Sequence, residues 1–115
     1  MDKELIEIAE FVRTAQIPEH GGEMNEMLTK TIGYSFRITE LLNFAEHSLS
    51  SHHGAAINRF ENDDSETETT RKAKLDAELA DDTKLVKDLK NIRTHLKMLS
   101  MQLFQSIKTA REEKR

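Results

Sequence analysis

From Leu85 to Leu103 the apolar residues recur in steps of four and three: Leu85, Leu89, Ile92, Leu96, Leu99, Leu103. Residues at that spacing share a line only on a helix, and the steady alternation is a coiled-coil seam. Val86, Met98, Met101, Phe104 and Ile107 widen it on either side. A stripe this broad needs more than one neighbour. A second helix of the same chain supplies one and another copy of the chain is the simplest source of the rest, so the six seam residues are the expected oligomer interface.

The remaining sequence fits the same class. One Pro and four Gly leave few breaks, and no β-branched or aromatic run divided by turn residues suggests a strand. The expected fold is all-α: a short N-terminal helix over residues 1–17, then an antiparallel, coiled-coil-like hairpin of long helices that oligomerises. Leu5, Ile8, Ala9, Val12 and Ala15 give the first helix its apolar face, with Asp2 as N-cap and Glu4 in the first turn. Pro18 and the Gly21-Gly22 pair end it, Pro by disfavouring helix in the residue before it and Gly by permitting a left-handed exit.

The second helix is predicted over 23–60, with Met24, Met27, Leu28, Ile32, Ile38, Leu41, Leu42, Ala45, Leu49, Ala56 and Ile57 on its apolar side. Gly33 inside it marks a bend or a close helix approach. The acidic turn 61–64 follows, then a long helix over 65–112. Ser65-Glu66-Thr67-Glu68 fits a capping box, and acidic residues at this start with Lys/Arg at the far end complement the helix dipole. Uninterrupted, this helix is a rod of roughly 70 Å at ~1.5 Å per residue.

Charge is split along the chain. Residues 1–83 hold 8 Lys/Arg against 18 Asp/Glu, whereas residues 84–115 hold 9 against 3. Opposite signs at the two ends suit head-to-tail self-association or a basic arm meeting nucleic acid. Lys90, Arg93 and Lys97 share one helical face, with Lys84 and Lys87 one turn earlier, and form a row that either follows phosphates or is the solvated back of an amphipathic helix. Arg59, Arg71, Lys72 and Lys74, around the acidic turn, are the next candidates for nucleic-acid contact.

Other chemistry finds little support. There is no Cys, hence no disulfide, thiol nucleophile or thiolate zinc site. His47, His52 and His53 lack the spacing of a metal motif, and the 62–68 run lacks that of a calcium loop. No phosphate loop and no nucleophile, base and orienter set is present. The expectation is therefore no enzyme, no cofactor, no metal and no small-molecule substrate. The start MDKELIEIAEF has no apolar core of a signal peptide and no stretch reaches ~18 apolar residues, so a cytoplasmic protein without a membrane span is expected. Met24, Met27, Met98 and Met101 suit either an adaptable docking surface or core packing, and core packing is the simpler role.

The segment from about Tyr34 to Arg115 resembles the small helical recombination mediators of phages, the UvsY-like proteins. It shares a helix ending at a short acidic turn (Phe60 to Asp64), a Ser/Thr-rich start SETETTRKAKLDAELADD and a long terminal helix ending LKMLSMQLFQSIKTAREEKR. The resemblance implies a non-enzymatic accessory factor that forms rings, binds single-stranded DNA and helps load a recombinase, in a bacterial host cytoplasm. The family's helix before the turn is rich in Lys/Arg, while HSLSSHHGAAINRF offers only Arg59 and three His. The basic terminal helix then has to supply most phosphate contacts. Stacking is scarce there too, with Phe104 alone in the basic part. The rival expectation is a protein–protein adaptor or scaffold, a phage structural or host-inhibiting factor, that binds no nucleic acid and whose apolar seam is its function.

Overall fold

The computed structural model describes residues 3–61 and 67–113, with side chains described up to Arg59 in the first stretch. These residues form four helices and no strand: α1 (Lys3–Thr14), α2 (Gly21–Glu61), α3 (Glu68–Glu78) and α4 (Ala80–Glu113). They divide into two compact units, one built from residues 1–40 and 90–115 and the other from 41–89.

In the first unit α1 lies along α2. Leu5 and Ile8 are buried, and a line of polar and aromatic contacts fixes the register. Arg37 Nε donates to Glu4 Oε1 at 2.7 Å and Nη1 to Glu40 at 3.2 Å, Tyr34 Oη donates to Glu7 at 3.3 Å, and the Phe11 and Tyr34 rings meet edge to face at 4.9 Å. Lys30 Nζ sits over both rings. The hydrogen bond and charge of Glu4, aided by Glu40, hold the Arg37 guanidinium above its ordinary range. Below this lies a core of Met24, Leu28, Leu99, Leu103 and Ile107, flanked by half-buried Phe11, Ala15, Ile17 and Met27. Thr31 is fully buried in the same unit, and its hydroxyl is satisfied by donating to Met27 O at 2.7 Å.

In the second unit the later part of α2 meets α3 and the start of α4. Leu42, Ala45, Ala56, Leu79, Val86 and Leu89 are buried. Arg59 pairs with Glu78, and His52 Nδ1 lies 2.6 Å from Asp82 Oδ2.

The helix ends differ from expectation in three places. α1 stops at Thr14 rather than 17, because Pro18 disfavours helical geometry in Ile17 and the chain leaves the helix ahead of it. Gly21 and Gly22 do not turn left-handed; no glycine has positive φ. They open α2, whose first backbone bond runs from Met24 N to His20 O at 2.9 Å. α2 runs on as one helix through Gly33, and no close helix approach occurs there, since a Cβ meets nothing within 4 Å.

The third difference is the long rod, which is two helices. Leu79 has φ −93° and ψ 0°, a departure from helical ψ that separates α3 from α4. The joint is tight. Leu79 N donates to Leu75 O at 3.1 Å and Thr83 N to Leu79 O at 2.9 Å, while Asp81 and Asp82 fall in the first turn of α4, where the dipole favours negative charge. Glu61 is still helical, so the turn begins after it. The Ser65 cap, the Asp2 cap and the rest of the turn lie outside the described residues. Thr67 caps α3, its Oγ1 accepting from Thr70 N at 3.3 Å.

Candidate nucleic-acid interface

α4 carries two stripes, and the first is the seam. Leu89, Leu96, Leu99 and Leu103 are buried within the chain, Ile92 is half-buried and Leu85 is 36% exposed. Most of the apolar line expected to meet another copy is therefore already covered by this chain's own helices. The methionines part company: Met24 is buried and Met27 half-buried, but Met98 and Met101 are 53% and 63% exposed, which core packing does not explain.

The second stripe flanks the seam. Lys90, Arg93, Lys97, Met101, Phe104, Lys108 and Arg111 follow one another in steps of three or four. At ~100° per residue they fall within an arc of about 80° on one side of the helix. All seven side chains are exposed. The Lys90, Arg93, Lys97 row thus continues into two apolar residues and two further cations.

Opposite this stripe, α2 presents Ile32, Ser35, Phe36 and Thr39. Together with Arg93, Lys97, Ser100, Met101 and Phe104 they line an open groove of about 320 Å³ inside the first unit. Phe36 is 70% exposed and Phe104 58%. The hydroxyls of Ser35, Thr39 and Ser100 donate to backbone carbonyls one turn back, leaving their lone pairs as acceptors. Met101 and Phe104 also line an adjoining groove with Asn25, Leu28, Gln105, Ile107, Lys108 and Arg111. No acidic side chain lines either groove, and no ion pair with a described residue holds Arg93, Lys97, Lys108 or Arg111.

The other basic candidates belong to the second unit. Lys84, Lys87, Lys72 and Lys74 are exposed, Arg71 is half-buried, and Arg59 is engaged by Glu78. Arg93 and Lys97 are the two predicted cations brought into one groove. Phe36 escapes a reading from spacing because it lies off the apolar stripe of α2. A large aromatic outside its helix's stripe was the available signal, and Phe44, 74% exposed in the second unit, shares it.

Among the described residues no group of three His, Asp or Glu is gathered to hold a metal ion, and no helix is long and apolar enough to cross a membrane. No family model matches the chain, and neither the curated proteins nor the solved structures give a significant match.

Proposed function

We propose that this chain is a non-enzymatic accessory protein of DNA recombination or replication, of the phage mediator type, that binds single-stranded DNA and a protein partner such as a recombinase. The observation that carries the proposal is the exposed basic row of Lys90, Arg93 and Lys97 on α4, extended by Lys108 and Arg111. Cations on one face at steps of three or four neutralise successive phosphates without demanding a base sequence. The accompanying architecture is an antiparallel hairpin that oligomerises in the cytoplasm. Contact order supports the hairpin in each unit: Gly21, Gly22 and Asn25 share a surface with Ile107 and Arg111 while Phe36 shares one with Arg93, and His52 meets Asp82 while Arg59 meets Glu78. Oligomerisation multiplies contacts that are weak singly.

The exposed Ile32, Phe36, Met101 and Phe104 favour a second reading, the adaptor, because gathered apolar side chains with a polar rim also mark protein docking surfaces. Salt titration separates the two. Each phosphate contact releases roughly 0.7 counterion from a single strand, so log affinity for a long oligonucleotide falls linearly with log salt. Lys90→Glu, Arg93→Glu and Lys97→Glu together weaken binding and flatten that slope with helicity unchanged. A wild-type protein that ignores oligonucleotides at ~50 mM salt, where counterion release is strongest, is the adaptor.

A further inference from the structure

We infer that the groove between α2 and α4 is a base-stacking site, in which Phe36 and Phe104 take unpaired bases of a single strand while Arg93, Lys97, Lys108 and Arg111 hold its phosphates. The inference rests on the single-strand reading above and adds to it which residues touch the bases.

Electrostatics alone ties a basic helix to any polyanion, duplex or single-stranded. Preference for a single strand needs a surface that rewards an exposed base face, and aromatic rings beside cations are that surface. In the expected arrangement the basic part of the chain holds one aromatic, Phe104, against the seam. The fold instead leaves Phe104 outside the seam and sets Phe36 of α2 in the same groove wall, both rings more than half exposed. Cations bracket the apolar centre along α4: Arg93 and Lys97 precede Phe104, and Lys108 and Arg111 follow it. From Arg93 to Arg111 this is about 27 Å at ~1.5 Å per residue, a length along which a strand can alternate phosphate and base contacts. Charge selects the occupant. The two adjoining grooves, which share Met101 and Phe104 and carry two cations each and no acidic lining residue, oppose a second copy placed face to face and suit a polyanion whose bases are apolar on their faces. The acceptor hydroxyls of its floor complement the amino and imino hydrogens of base edges.

The experiment uses the full chain, an oligothymidylate, and an abasic strand of equal length that keeps the phosphates and lacks the bases. The wild type is expected to bind the oligothymidylate more tightly than the abasic strand. Phe36→Leu and Phe104→Leu keep the side chains apolar and remove the rings, and each is expected to weaken oligothymidylate binding on the order of tenfold, from ~1–3 kcal/mol per stacked base at ~1.4 kcal/mol per decade. The double variant then binds both strands equally, and its salt slope matches the wild type because no cation has gone. Both rings are exposed, so thermal melts should coincide, which confirms folded protein in each assay. Wild-type affinities equal for the two strands, or leucine variants that bind like the wild type, would overturn the inference and leave phosphate binding by the basic row standing. A wild type that binds neither strand removes the single-strand reading and this inference with it. If the leucine variants instead reduce oligomer mass, or abolish capture of an acidic amphipathic peptide while oligonucleotide binding persists, the groove belongs to a second copy or a protein partner and the inference is wrong.

Discussion

Leu103→Ala tests whether the seam of α4 is spent on this chain's own core. Leu103 is fully buried among Met24, Leu28, Leu99 and Ile107. Truncation to Ala removes the equivalent of two to three methylenes, about 2 kcal/mol at ~0.8 kcal/mol each, and leaves a cavity that adds to the loss. Met24 and half-buried Met27 have the freedom to lean into that space, which places the expected cost near ~3 kcal/mol, inside the usual Leu→Ala range. Against a total stability of ~5–15 kcal/mol this is a large fraction. Leu85→Ala is the internal control, because Leu85 belongs to the same heptad line but is 36% exposed; its cost is expected below ~1 kcal/mol. Urea titration followed by far-ultraviolet circular dichroism reads both, as a shift in midpoint at unchanged slope. If Leu85→Ala costs as much as Leu103→Ala, the seam is buried along its whole length by something other than this chain's helices, and the intramolecular core is wrong.

Other consequences are smaller. Gly33→Ala and Gly54→Ala, both in the interior of α2 where a Cβ meets nothing within 4 Å, should each raise stability by ~0.5–1 kcal/mol, read from the melting midpoint. Thr67→Ala should lower stability by about 1 kcal/mol through loss of the α3 cap, whereas a cap at Ser65 would leave Thr67→Ala silent. Arg37→Met should lower the midpoint at low salt and less so at high salt, since its partners Glu4 and Glu40 are solvent-accessible. Glu4, aided by Glu40, holds the Arg37 guanidinium above its ordinary value. A raised pKa contributes stability below the unfolded value and loses it only on rising through the folded one, so the titration of Arg37 itself leaves its contribution unchanged across neutral pH. A midpoint difference between wild type and Arg37→Met that collapses near neutral pH would contradict this.

Periodicity made the helices of this chain legible, and their detail required packing. The stripes of α1, α2 and α4 follow from apolar spacing because a helix has no other way to bury such residues. The break at Leu79 carries no Gly or Pro and so no local signal; it places Leu79, buried to 6% exposure, in the second unit's core while the hydrogen-bond ladder continues through its carbonyl. Gly21 and Gly22 mislead for the opposite reason, since glycine permits a left-handed exit without requiring one. The basic row was visible as a spacing of i, i+3, i+7. Its continuation through Met101 and Phe104 was hidden, because those residues look like seam until the helices of the first unit are packed and only Leu96, Leu99, Leu103 and Ile107 turn inward. Phe36 was hidden more deeply, as its partner residues lie on another helix far along the chain.

The two stripes of α4 make stability and surface chemistry separable. Leu96, Leu99, Leu103 and Ile107 are buried and hold the fold, while Arg93, Lys97, Met101 and Phe104 face the open groove. Folding leaves Phe36 and Phe104 more than half in water, so it gains little from them. Scattered exposed apolar residues need no explanation, but these are gathered in one groove with cations on the rim, and gathering is what distinguishes a binding surface from background. The same cations oppose the closing of such a surface on its own copy, since two basic rims brought together repel. An apolar groove with such a rim gains most free energy from an occupant that supplies negative charge and apolar faces together, and on the proposed single-strand reading it is that combination, rather than charge alone, that sets selectivity among anionic partners.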